Sequence, residues 1–349
     1  MEKTAQEWEK AKSEFKDWYF ENEKVFSVTK DVYQSLVMAL LFDRNGILNP
    51  TIEGRIKNRN SCIAKFERKY LRDYDSEISL DNVRAKITDL IGLRIICSYE
   101  DEIPKIEKIL CDNFEVIGKT DKTKELKEKR IFGYKGLHLD IKLSEERLRL
   151  AEYEKVANFQ VEIQIRTIIQ HAWSSLDHKI IYKRDSSPEL TRSVERLAAL
   201  FEIADSEFIR LRQETEKQEN ISEEKIKTTE QKLSDNTTSE DEIIPIDFIT
   251  FNKFLNMKFN ANFYTATTSA FLDEIFRSDS DFSLTELTKA YDEKNEIVTE
   301  YKSSSIVVLY MNPLTFLRHT LYAYNKERYE KLLTDLQKHN FDAFLDRGR

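Results

Sequence analysis

Residues 161–167 read Val-Glu-Ile-Gln-Ile-Arg-Thr, with apolar β-branched side chains at 161, 163 and 165 alternating with Glu162, Gln164 and Arg166. A period of two marks a strand with one face in a core and the other in polar space. The chain must therefore build a sheet, and on its wet face an acid, an amide and a cation stand in a row. Such a row suits a metal-bound polyanion; an amphipathic edge strand with an ion pair on its wet side is the competing reading. Residues 87–98 are the most apolar continuous stretch (Leu90, Ile91, Leu93, Ile95, Ile96, Cys97) and have the length and branching of a central strand. Residues 114–119 and 137–143 supply further strands, and residues 102–110 a short helix. Strands and helices interleaved in this way predict an α/β sheet domain over about residues 50–185.

The flanks carry a helical period. Trp8, Phe15, Trp18, Phe26, Val32, Leu36 and Leu40 predict two helices within residues 2–42, ended by Asp43-Arg44-Asn45-Gly46 and Pro50. A third helix is expected at about residues 52–71. Beyond Thr167 the spacing of Ile168, Ile169, Ala172, Trp173 and Leu176 is helical again, and another helix follows Pro188 to about residue 214. Residues 215–242 are polar and low in complexity, which predicts a solvated helix end and a linker. Residues 243–349 are mostly helical by pattern, with Phe248, Phe251, Phe254, Leu255 and then Ala270, Phe271, Ile275, Phe276 at helix spacing. A single strand is expected at residues 306–310. The expected organisation is N-terminal helices over 1–50, a sheet domain with trailing helices over 51–214, a linker over 215–242 and a C-terminal domain over 243–349. The last is read as regulatory, partner-binding or a route to a homo-oligomer.

At 349 residues, 40% hydrophobic and 34% charged, the chain has the balance of a globular protein with more than one core. The longest apolar run, residues 36–42, is too short to span a membrane, and the polar N-terminus lacks an export signal. Cys62, Cys97 and Cys111 show no metal-type pairing and read as small buried hydrophobes in a reducing, cytoplasmic setting. A net charge of −8 argues against a general nucleic-acid coat but leaves room for a local basic pocket.

Four groups of residues carry chemistry. Gly54-Arg55-Ile56-Lys57 precedes Ser61, Lys65, Arg68 and Lys69; positions 57, 61, 65 and 68 would share one helix face. Like charges there suit a multi-phosphate ligand, and the plainer reading is a solvated basic face. Asp89 opens the apolar strand, where a hard cation such as Mg²⁺ can reach it. Arg94, among apolar neighbours, calls for an anion or an aromatic face. Gly133-Tyr134-Lys135-Gly136-Leu137-His138 lets the backbone turn tightly and offers Tyr134 as a stacking platform. His171 follows Arg166 by about one helical turn, while Trp173 reads as core. No His-x-x-x-His pair with a glutamate occurs, which argues against zinc.

Taken together, Gly-Arg-x-Lys, Asp-x-x-Gly-x-Arg, Gly-Tyr-x-x-x-His and Glu-x-Gln-x-Arg-Thr resemble, in order, the motifs of the RelA/SpoT-type alarmone synthetases. The resemblance covers residues 54–183 and implies a nucleotidyltransferase-like mixed sheet flanked by helices. It implies transfer of pyrophosphate from ATP to the ribose 3′-OH of GTP or GDP, with Mg²⁺. By the motifs, Arg55, Lys57, Lys65, Arg68 and Arg94 would contact ATP, Asp89 and Glu162 would hold Mg²⁺, and Glu162 would take the hydroxyl proton. Tyr134, His138, Gln164, Arg130 and His171 would serve the acceptor. Two positions depart from the pattern: Gly136, where serine or alanine is usual, and His171, a variable site. A hydrolase of the kind found in large relatives is not expected, because the first histidine is His138. The alternatives are a toxin-type relative acting on the 3′ end of tRNA and a catalytically silent guanine-nucleotide sensor. The former would need RNA-gripping surface, with candidates in Arg318, His319, Tyr322, Tyr324, Lys326, Arg328, Tyr329 and Lys331, or else these form an amphipathic helix with a wet basic side.

Overall fold

Strands β1 (Thr51–Ile56), β2 (Ile91–Cys97), β3 (Phe114–Asp121), β4 (Leu137–Leu143) and β5 (Val161–Thr167) form one sheet in the order β1-β2-β5-β4-β3. The computed structural model describes residues 2–44, 46–71, 78–121, 123–125, 136–180, 188–235, 243–260, 265–304 and 311–347. β5 is central; it runs parallel to β2 and antiparallel to β4, and both outer pairs are antiparallel. This is the mixed sheet that the resemblance implies. The alternation in the sequence sets its two faces. Leu93, Ile163 and Leu139 align across three strands, as do Ile95, Ile165 and Leu137, and all six are buried. Each such side chain contributes about 1.5–3 kcal/mol on burial.

Helix α1 (Glu2–Leu41) packs on β1 and β2 and brings Trp8, Phe15, Phe26, Tyr33 and Val37 into that core. It is one uninterrupted helix where the spacing predicts two, because no glycine or proline lies between residues 2 and 42. The helix expected at 52–71 is instead β1 followed by α2 (Arg59–Lys69), which the Asn58 side chain caps by accepting from the Asn60 amide. Thr51, Glu53 and Arg55 alternate with Ile52, Gly54 and Ile56, so β1 has the period of a strand with one wet face. Helices α3 (Leu80–Lys86), α4 (Ile103–Asn113) and α5 (Ile168–Ile180) follow. Trp173 of α5 is core, edge-on to Phe201 at 5.7 Å. Cys62 and Cys97 are buried as expected, whereas Cys111, on the wet side of α4, is exposed.

Helix α6 (Pro188–Ser234) runs through residues 215–234, where the composition predicts a linker. The chain divides into two compact units, residues 1–211 and 212–349. In the second unit Ile226 of α6 is fully buried, and Glu223 and Glu230 pair with Lys253 and Lys258 at 2.8 Å. Those contacts give this polar stretch a reason to stay helical. The unit continues with α7 (Phe248–Phe259), α8 (Thr265–Ser278), α9 (Leu284–Ser303), α10 (Pro313–Tyr324) and α11 (Asp335–Arg347). Phe251, Phe254, Leu255, Phe271 and Ile275 fill its core, as their helical spacing predicts. The strand expected at residues 306–310 lies outside the described residues.

The basic and aromatic run at 318–331 is not a free RNA-gripping stripe. Arg318 donates to both carboxylate oxygens of Glu274 and to the Leu332 carbonyl. Arg328 pairs with Glu286 and Asp279, and Lys326 with Asp342. His319, Tyr322 and Tyr329 are buried. Arg318, Lys326 and Arg328 thus each meet a carboxylate of their own unit.

Candidate active site

Opposite the apolar face, register lines up the polar side chains. Arg55, Gly92, Glu162 and Asp140 share one cross-strand row. Glu53, Arg94, Gln164 and His138 share the next, and Ile96 and Arg166 the one after. Residues about 110 positions apart thus become neighbours because four strands, β1, β2, β5 and β4, obey the same period.

Along β5 the row in the sequence becomes a hydrogen-bonded chain. Arg166 Nη2 donates to Gln164 Oε1 at 2.8 Å, and Gln164 Nε2 donates to Glu162 Oε2 at 2.7 Å. His138 Nδ1 stands 3.2 Å from Glu162 Oε1. Arg166 is buried, and its Nη1 donates to Ser174 Oγ of α5 at 2.7 Å. Burial, with Arg94 and Arg55 nearby, pulls the Arg166 pKa down to about 10, although Glu162 opposes this. His171 is likewise shifted down, first by burial and then by Arg94, against Glu53. It lies beside the arginines of this face.

At the entry to β2, Asp89 is held from two sides. Lys57 Nζ donates to Oδ2 at 2.5 Å and Lys65 Nζ to Oδ1 at 2.8 Å. Burial opposes ionisation of Asp89, but the hydrogen bonds and charges of the two lysines outweigh it, and its pKa falls below the ordinary carboxylate value. Asp89 sits in the turn before β2, which begins at Ile91, and only three residues before Gly92, the cross-strand partner of Glu162. The expected common helix face for Lys57, Ser61, Lys65 and Arg68 does not form. Lys57 continues the β1–β2 ladder, donating its amide to the Leu90 carbonyl at 2.8 Å, and only the other three lie on α2. Lys57 and Lys65 nevertheless converge, on Asp89. Arg68 is exposed in the last turn of α2.

Arg94 finds its anion on the wet face in Glu53, at 3.2 Å. Glu53, Arg55, Gly92, Arg94 and Gln164 line a cavity of about 230 Å³. Glu53 and Ser174 join this face without belonging to any of the four sequence motifs. The alternation Thr51, Glu53, Arg55 carries a signal for the first, but nothing in the local sequence marks the second. Gly136 has a physical reason: a Cβ there would collide with the Ile165 carbonyl and the Arg166 side chain, so β5 excludes alanine or serine. Arg130 and Tyr134 lie outside the described residues.

A family model described as a region found in RelA / SpoT proteins matches residues 54–187. The chain is 30% identical over 167 residues to GTP pyrophosphokinase YwaC of Bacillus subtilis, covering 47% of this chain and 74% of that protein. It is 28% identical over 184 residues to GTP pyrophosphokinase YjbM of the same organism, covering 52% of this chain and 80% of that protein. Among solved structures, small alarmone synthetase 1 of B. subtilis bound to its product pppGpp aligns at 23% identity with a TM-score of 0.45, over 58% of this chain and 99% of that one. The span of YwaC that is matched, and the position of Arg55, Asp89, Arg94, His138, Glu162 and Gln164 inside residues 54–187, lead to one conclusion: the chain belongs to the RelA/SpoT family, as an enzyme of its small synthetase type.

Proposed function

We propose that this chain is a GTP pyrophosphokinase that moves the pyrophosphoryl group of ATP onto the ribose 3′-OH of GTP or GDP, without a hydrolase activity. The observation that carries the reading is the wet face itself. Glu162 is fixed by Gln164 in a row with Arg55, next to Arg94, and Asp89 is fixed by Lys57 and Lys65 at the same end of the sheet. Four cations around two carboxylates are what a chain of phosphates and a divalent ion require.

Asp89 and Glu162 supply hard carboxylate oxygens, the donors Mg²⁺ takes alongside phosphate oxygens, so the residues fit that ion. When bound, Mg²⁺ polarises the phosphate under attack and offsets developing charge. The protein's own groups do the rest. Lys57 and Lys65 exchange part of their hold on Asp89 for phosphate oxygens of ATP, with Arg55 and Arg68 on the same chain of phosphates and Arg94 over the adenine. Glu162 receives the proton of the ribose hydroxyl, while His138, Gln164 and His171 orient the acceptor together with Arg130 and Tyr134. Two carboxylates of this kind exceed what a silent nucleotide sensor needs. The ion pairs of Arg318, Arg328 and Lys326 count against tRNA as the acceptor. Three free thiols agree with a cytoplasmic setting, and no helix among the described residues is long and apolar enough to cross a membrane. The C-terminal unit is proposed to regulate the reaction or to recruit a partner or a second copy.

Labelled ATP offered with GDP, GTP, GMP and bulk tRNA side by side tests the reading. Label is expected in a guanine nucleotide; label in tRNA alone, or in nothing, overturns it.

A further inference from the structure

We propose that Ser174 is a positioning residue for Glu162, acting through Arg166 and Gln164; the inference rests on the reading of Glu162 given above. The starting observation is how Arg166 is held. It is 8% exposed, and among the described residues no carboxylate pairs with it; its two terminal nitrogens go to neutral acceptors, Ser174 Oγ and Gln164 Oε1. A buried guanidinium without a carboxylate usually finds one, and Glu162 is close enough to raise its pKa.

Ser174 keeps that from happening. Arg166 has donors only, so whichever atom of the Gln164 amide faces it must be the oxygen. That choice turns the amide nitrogen toward Glu162, where it donates at 2.7 Å. The two bonds along β5 therefore have one direction, from guanidinium to amide to carboxylate, while a third, from Nη1 to Ser174 Oγ, anchors the guanidinium at the far end. Gly136, just before β4, closes on the Arg166 side chain, so the stem is confined while the head depends on its acceptors. Without the Ser174 hydroxyl, Nη1 is left buried and unpaired, a state the guanidinium escapes by turning toward Glu162. A direct ion pair would then occupy the carboxylate that has to meet the hydroxyl proton.

Ser174→Ala is expected to lower kcat about tenfold while the KM for ATP changes little, since positioning of a reacting group is lost but substrate contacts are not. Ser174→Thr keeps the hydroxyl and should restore kcat. The second readout needs no turnover. In nucleotide-free protein carrying ¹⁵N-arginine, the Arg166 Nη signals, assigned with Arg166→Lys, should be distinct in wild type and Ser174→Thr and averaged in Ser174→Ala. Unchanged kcat in Ser174→Ala, equal impairment in both variants, or identical Arg166 signals in all three would overturn the proposal. A wild-type protein that forms no nucleotide product would count against the reaction instead, and the arginine signals would then decide the hydrogen-bonded chain alone.

Discussion

Arg166 is buried and Arg318 half-buried, and they are held in opposite ways. Arg318 meets both oxygens of Glu274, the Leu332 carbonyl and the face of Phe271, 4.5 Å from its centroid. Arg166 meets a serine and a glutamine, with Arg94 and Arg55 close enough to depress its pKa. The first arrangement settles its charge within the fold. The second leaves positive potential on a sheet face, a cost to stability that makes sense where an anion is to bind. Between these two arginines it is the partner, more than the charge, that differs. In the run at 318–331, which looks like an RNA surface in sequence, Arg318, Lys326 and Arg328 are engaged in ion pairs within their own unit.

The largest effect that could break this contrast is at Glu162. Glu162→Gln should reduce turnover by about 10²–10⁴ with the fold intact, read as single-turnover product formation beside a circular-dichroism melt. Near-wild-type turnover would remove the role given to the wet face. Asp89→Asn comes next: it leaves Lys57 and Lys65 facing each other without their shared anion. Turnover should fall by about a hundredfold or more, and titration with a non-hydrolysable ATP analogue should show whether metal-dependent affinity is lost as well.

Arg318→Met sharpens the other side of the comparison. It should destabilise the C-terminal unit by about 1.5–3 kcal/mol in denaturant melts, because Glu274 is left without its partner. Turnover per folded molecule should not change if Arg318 is structural; a large loss of turnover with an unaltered melt would undo the distinction.

The smallest effect concerns Asp205, the acidic counterpart of Arg166. It is buried on α6, and the Thr167 hydroxyl donates to its Oδ2 at 2.8 Å. Burial, and then Glu100, push its pKa from 3.8 up to about 7. The folded state keeps a proton that the unfolded chain has already released, so this contribution to stability is present at low pH and is lost as pH rises through about 7. Asp205→Asn should therefore flatten the fall in melting temperature between about pH 4 and 8; a slope equal to wild type would show that Asp205 does not titrate this way.

Much of the sheet was legible because its strands obey simple periods. β5 alternates strictly and β2 is nearly continuous in apolar residues, so both could be read without a partner in view. β1 was obscured by the basic residues that follow it: Lys57, Ser61, Lys65 and Arg68 fit a helical spacing, while the six-residue alternation of Thr51–Ile56 is short and contains a glycine. The lengths of α1 and α6 were hidden for a different reason. Local spacing marks which face a helix buries, but a helix ends only where a breaker stands, and residues 2–41 and 189–234 contain neither glycine nor proline. Glu162, Gln164 and Arg166 could be grouped from sequence because one strand carries them. Ser174 could not, since its link to Arg166 depends on how α5 turns off the end of β5. The clamp on Asp89 joins a ladder residue to a helix residue, which no single period describes.

The most direct measurement is the position of the new phosphate bond. After incubation of the wild-type chain with ATP, GDP and Mg²⁺, phosphorus–proton correlation NMR of the purified product is predicted to connect a diphosphate to the 3′ carbon of the guanosine ribose. A product extended at its 5′ end, or no guanosine product, would contradict the account.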